Sequence, residues 1–269
     1  MRRSAIFLAI SLAALAVVPA GAQSTEPARV PYYLTTKSTF QEGCFDPCDC
    51  LLEQPRKVLG VFFLHPATSD PLFTYYDVTD IQWIVLPLGD PMRITGSGTY
   101  RVGGEVAIQH QLELDLQVGG GPIEHFDSGL LAGGGEFPEI HIPISIHGMV
   151  CYDMVIQVHA RPAIQLAVNS SALTWNLLPG VLGFDVVRGD VRHLRETGGD
   201  FAAATRACLA DDWNGNVLAD PSAPPASGEA VWYLIRHVNP FFSGSYDDES
   251  PSLVATRDPG INAAPGSCP

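Results

Sequence analysis

Across residues 105–118 apolar and polar side chains alternate with few exceptions. Val106, Ile108, His110, Leu112, Leu114, Leu116 and Val118 fall on one side; Glu105, Gln109, Gln111, Glu113, Asp115 and Gln117 fall on the other. A period of two is that of a strand with one buried and one wet face. Residues 140–146 repeat the pattern, with isoleucine at 140, 142, 144 and 146 opposed by His141, Pro143 and Ser145. Proline on the outward side marks an edge strand, because it cannot donate to a ladder. Further strands are predicted at 59–64, 80–86, 98–102 and 151–159, with long turns at the glycine clusters 119–121 and 133–135. Near Arg161-Pro162 the pattern restarts, giving strands at 164–168, 172–176 and 184–188. Two short helices follow, 191–196 after Asp190 and 201–209 after Asp200, each aspartate standing where an N-cap is wanted. A Pro/Ser/Ala linker at 221–227 leads to a last strand at 230–239. The expectation is an all-β chain of two antiparallel β-sandwich domains, 23–160 and 161–269, the second carrying a short helical insertion.

The chain opens on Met1, Arg2 and Arg3, followed by an apolar run over 5–18, Pro19 and the small residues Ala20-Gly21-Ala22. That order reads as a signal peptide over residues 1–22. The run is also short for a bilayer span, which needs about 20 apolar residues. The mature protein is therefore expected to be secreted or periplasmic, with no membrane span. The formal charge is −14, and loss of Arg2 and Arg3 with the leader makes it two units more negative. Such a surface repels phosphate backbones, so nucleic acid is excluded as a partner class.

Leu173-Thr174-Trp175, Gly180, Phe184-Asp185-Val186-Val187-Arg188-Gly189-Asp190, Trp232-Tyr233-Leu234-Ile235-Arg236-His237-Val238-Asn239 and Gly244-Ser245-Tyr246 together resemble a fibronectin type III-like module. The likeness is narrower to a divergent version that closes many uncharacterised secreted bacterial proteins. It implies a sandwich with Trp175 packed between two sheets and Tyr233 and Ile235 facing it from a late strand. The insertion at 191–210 departs from that pattern. The first part resembles secreted domains of unknown function through Gly43-Cys44-Phe45-Asp46-Pro47-Cys48 and residues 110–116, and that likeness carries no activity.

Six cysteines in an exported chain predict disulfides. If pairs stay within domains, Cys208 joins Cys268, and Cys151 takes one of Cys44, Cys48 and Cys50. A thiolate metal site is not expected from Cys-x3-Cys-x-Cys, which lacks the paired C-x2-C units of zinc sites. His141 and His147 share a strand face but lie about 20 Å apart at strand rise and cannot chelate one ion. His110, alone on an apolar face, reads as a neutral core histidine. Asp212, Asn214, Asn216 and Asp220 repeat oxygen ligands as a calcium loop does, yet Val217 and Ala223 stand where glycine and a closing carboxylate are needed. No metal or cofactor is expected.

Catalytic motifs are missing: neither G-x-S-x-G nor H-E-x-x-H occurs. Glu113 and Asp115 stand about 7 Å apart on one outward face, a spacing common on wet strands. Arg188-Gly189-Asp190 spells an adhesion tripeptide, but Asp190 is needed as a helix cap. Phe241 and Phe242, adjacent on a loop at one end of the second domain, are the expected contact residues for an unknown protein or glycan partner. The resulting expectation is a non-enzymatic interaction or surface-associated structural protein. The alternative is an extracellular hydrolase or carbohydrate-active protein with a site on the first domain, in a pocket holding Glu124, His125 or Asp127.

Overall fold

The computed structural model describes residues 29–86, 91–220, 222, 224–239, 243–247 and 255–269. The signal segment 1–22 and the pair Phe241 and Phe242 lie outside them. The fold is all-β, in antiparallel sheets.

Ten strands come from residues 30–162: β1 (Val30–Leu34), β2 (Thr39–Phe45), β3 (Arg56–Ser69), β4 (Phe73–Val85), β5 (Met92–Gly103), β6 (Gln109–Val118), β7 (Ile123–Asp127), β8 (Leu131–Ala132), β9 (Ile140–Ser145) and β10 (Cys151–Pro162). They form a single sheet whose hydrogen-bonded path returns on itself. The strand β10 is the reason. It pairs with β2 over Cys151–Gln157 and with β1 beyond, while β9 pairs with its Val155–Ala160 stretch. A long strand mated on both edges joins the ends of the meander, giving a closed circuit where two stacked sheets were expected. The circuit is thinnest between β7 and β9, which share one pair, Asp127 with Ser145. Pro143 sits in β9, away from that contact.

Alternation fills the interior. Trp83, Tyr32, Tyr100, Phe40, Phe62 and Phe126 are fully buried, with Leu112, Leu114 and Leu116 of β6 among them. The predicted start of that strand is wrong: β6 begins at Gln109, so Val106 is 97% exposed and Ile108 is exposed too. The turn after Gly103 and Gly104, both at positive φ, breaks the ladder before the alternation takes hold.

Residues 163–269 add two small sheets. One orders β11 (Ala167–Val168), β12 (Ala172–Thr174) and β15 (Val217–Ala219); the other orders β14 (Thr205–Trp213), β13 (Gly183–Asp190) and β16 (Val231–Val238). Between β13 and β14 lie α1 (Val191–Glu196) and α2 (Phe201–Ala204), and α3 (Asp258–Ala263) follows late in the chain. Asp190 caps α1 by accepting from the His193 N–H, and Asp200 caps α2 by accepting from Ala202 and Ala203. The second helix is shorter than predicted, because from Thr205 the chain pairs along β13. Trp175 is buried and meets Phe184 edge-on at 5.7 Å. The main apolar cluster is continuous from the closed circuit into these sheets, through Phe137, Ile164, Leu166, Tyr233 and Ile235. At that seam Gly180 lies where a Cβ would come within 2.7 Å of the Phe137 ring, and Asn239 donates to the Phe137 carbonyl at 3.2 Å.

Candidate functional site: a disulfide-clamped apolar knuckle

The first turn of β10 and the segment after β2 form one knuckle at the end of the closed circuit. In register, Cys151 faces Phe45 and Tyr152 faces Cys44. Disulfides join Cys44 to Cys50 and Cys48 to Cys151. The Cys44 N–H donates to the Leu51 carbonyl and the Glu53 N–H to the Glu42 carbonyl, folding residues 50–53 back along β2. Only glycine allows this return. Gly43 has φ +135°, and a Cβ there would sit 2.4 Å from the Leu51 oxygen.

The other half of the knuckle is organised by one carboxylate. Asp153 is buried. It accepts from the backbone N–H groups of Ile146 at 3.0 Å, His147 at 3.1 Å, Met149 at 2.7 Å and Met154 at 2.8 Å. The bond to Met149 holds that residue at φ 61°, and Cys151, tied to Cys48, stands at φ 57°, conformations that side chains other than glycine adopt at a cost. Strain of this kind persists only where the surroundings over-determine it, and here a buried carboxylate and a disulfide do so.

What this framework displays is apolar. Leu51 is 82% exposed, Tyr152 56%, Val150 54%, and Leu52 and Met149 are exposed beside them. The Tyr152 hydroxyl donates to Glu42, which raises the phenol above its ordinary range. Leucine and valine held in water are costly, by about 25 cal/mol for each Å² of apolar surface. Scattered singly they need no account; borne by two segments that disulfides tie together, they make this tip the candidate contact surface.

The other predicted positions are placed as follows. The third disulfide joins Cys208 to Cys268, so all six cysteines are bonded. His110 is buried, with Nδ1 2.5 Å from the Tyr100 hydroxyl; burial pushes its pKa down to about 4, and His141 nearby adds to this. His141 lies against its cross-strand neighbour His159, the rings tilted by 41° with centroids 4.9 Å apart, and His147 sits in the knuckle. Asp220 accepts from the Tyr233 hydroxyl at 2.6 Å, while Asp212 groups with Asp185 and Asp211. The adhesion tripeptide is closed, since Gly189 packs on the Trp232 ring and Asp190 caps α1.

Glu113 accepts from Gln111 at 2.5 Å, Asp127 accepts from Gln111 at 2.9 Å, and Asp115 meets His125 at 2.9 Å with both side chains exposed. The first lies within β6, and the other two cross from β6 to β7 on one sheet face. A cavity of about 260 Å³ at the seam is lined by Tyr33, Glu139, Arg161, Tyr233, His237 and Arg257, among others. Another of about 620 Å³ lies over β4 and β5 beside Asp80, Gln82, Arg93 and Ser97. Glu113, Asp115, Glu124, His125 and Asp127 line neither.

Comparison with family models, curated proteins and solved structures gives no match. Among the described residues no helix is long and apolar enough to cross a membrane. This candidate surface is not legible in the sequence because Leu51 and Val150 are about a hundred residues apart. The signal was their adjacency to cysteines, and it became readable only once Cys48 was joined to Cys151.

Proposed function

We propose that this chain is an exported, non-enzymatic interaction module that engages a partner through the knuckle. The observation that carries this is the display of Leu51, Val150 and Tyr152 in water by two disulfides and the buried Asp153. A surface fixed before contact binds with less ordering cost. Export is supported by the leader-like residues 1–22 and by three disulfides, which persist in oxidising compartments. The fibronectin type III-like reading of residues 161–269 is supported by two three-stranded sheets and by the buried Trp175. In this reading the second unit is a structural support.

The competing reading, an extracellular hydrolase or carbohydrate-active protein, draws on Glu113, Asp115 and His125. Asp115 and His125 meet on an exposed sheet face while Glu113 is engaged by Gln111, and none of the three lines either cavity described above, which does not favour it.

The test is site-specific photo-crosslinking of the exported full chain in its native secretome, with the probe at Leu51, at Val150 and, as a control, at Gln117. A discrete adduct from both knuckle positions and none from the control is expected. Equal labelling at all three positions, or labelling from the control alone, overturns the reading. N-terminal sequencing of the exported chain is expected to begin at Gln23; retention in the cytoplasm removes the export claim.

A further inference from the structure

Resting on the knuckle as the contact surface, we infer that its occupant is a protein segment in which apolar side chains are flanked by lysine or arginine. The apolar tip is rimmed by Glu42, Asp46, Asp49 and Glu53, with both aspartates exposed. Among the described residues the nearby basic groups are Arg56 and His147. Arg56 is half-buried and meets Glu53 at 3.7 Å, and His147 is exposed. A ligand that covers Leu51 and Val150 therefore brings its margin against carboxylates. Opposite charge at such a rim speeds encounter and excludes wrong partners, while the apolar centre sets the lifetime of the complex.

The same rim argues against other occupants. A second copy docking symmetrically would bring one acidic rim against another, within a chain of formal charge −14. An anionic bilayer would repel the rim for the same reason. An extended or helical peptide with a basic border meets neither objection.

The probe is a phage-displayed library of random twelve-residue peptides, selected against the full, disulfide-intact protein and in parallel against L51S/V150S. Circular dichroism checks that each bait is folded. Expected are peptides pairing Leu, Ile, Phe or Trp with Lys or Arg, enriched on the wild type and lost on L51S/V150S. One such peptide, made synthetically, should bind D46K/D49K at least about tenfold more weakly. Its affinity for the wild type should fall as ionic strength rises from about 0.05 to about 0.5 M, with a flatter response for the charge-reversed protein. Knuckle-dependent peptides without basic enrichment, or indifferent to D46K/D49K, overturn this inference but leave the contact surface standing. A selection in which no peptide depends on Leu51 and Val150 overturns both.

Discussion

The carboxylate of Asp153, buried beneath the knuckle, accepts the backbone N–H of Met149 at 2.7 Å and so fixes a methionine in the left-handed region. One side chain thereby sets the path of a whole loop.

Replacement of Asp153 by alanine should cost roughly 3 kcal/mol in denaturant unfolding, because several N–H groups lose their acceptor together. Hydrogen exchange should accelerate at residues 146–149 more than in the strands. Stability within about 0.5 kcal/mol of wild type, with exchange unchanged, would show that the carboxylate does not organise the loop.

The second buried charge lies in the β13–β16 sheet. Asp185 accepts from Arg236 Nε at 2.8 Å and also from the Asp212 N–H, while Arg236 Nη1 donates to Asn262 and the guanidinium lies over the Tyr246 ring. Substitution of Arg236 by methionine should destabilise by about 3–5 kcal/mol, since it strands a buried carboxylate. The double variant D185L/R236M should regain a large part of that loss. A double variant as unstable as the sum of the two single ones would contradict this account.

Acid should weaken the fold through two histidines. His237 is held down to about 4 by burial first and then by the nearby Arg161 and Arg236; His110 is held to about 4 mainly by burial. Unfolded, both imidazoles take up protons below about pH 6.5, whereas the folded chain resists until near pH 4. Their contribution is thus intact above about 6.5 and is lost as pH falls toward 4, with a slope of roughly 1.4 kcal/mol per pH unit for each. Urea melts of H110Q and H237Q between pH 7 and 5 should each show a shallower slope than wild type; parallel slopes would exclude the mechanism.

The Cys208–Cys268 bridge spans a sequence separation of 60. Its removal in C208S/C268S should cost about 4 kcal/mol by the loop-entropy relation. Non-reducing peptide maps should recover this pair together with Cys44–Cys50 and Cys48–Cys151. A map joining Cys151 to Cys44 would require the knuckle to be rebuilt.

Legibility followed range along the chain. Alternation marked β6, β9 and β10 because a two-residue period is written into neighbouring side chains, and the caps at Asp190 and Asp200 were legible for the same local reason. Val106 and Ile108 were misjudged since the pattern continues through a turn that only backbone geometry reveals. Thr205–Leu209 followed a helix cap and an alanine run, but pairing with β13 overrode that local preference. The closure through β10 and the tie between residues 48–51 and 150–151 through Cys48–Cys151 depend on partners far away in sequence, for which no residue carries a local mark.

The strand β10 begins at the knuckle and ends, about 36 Å on at strand rise, at the seam with the small sheets. A pull applied at the tip therefore loads this strand along its length. Its ladder bonds to β2 and β9 run across that direction, so they resist in shear and must fail together instead of peeling one by one. The bridge from Cys151 to Cys48 passes the same load to β2. A molecule gripped at the knuckle is thus built to transmit tension through its main sheet before any strand unzips.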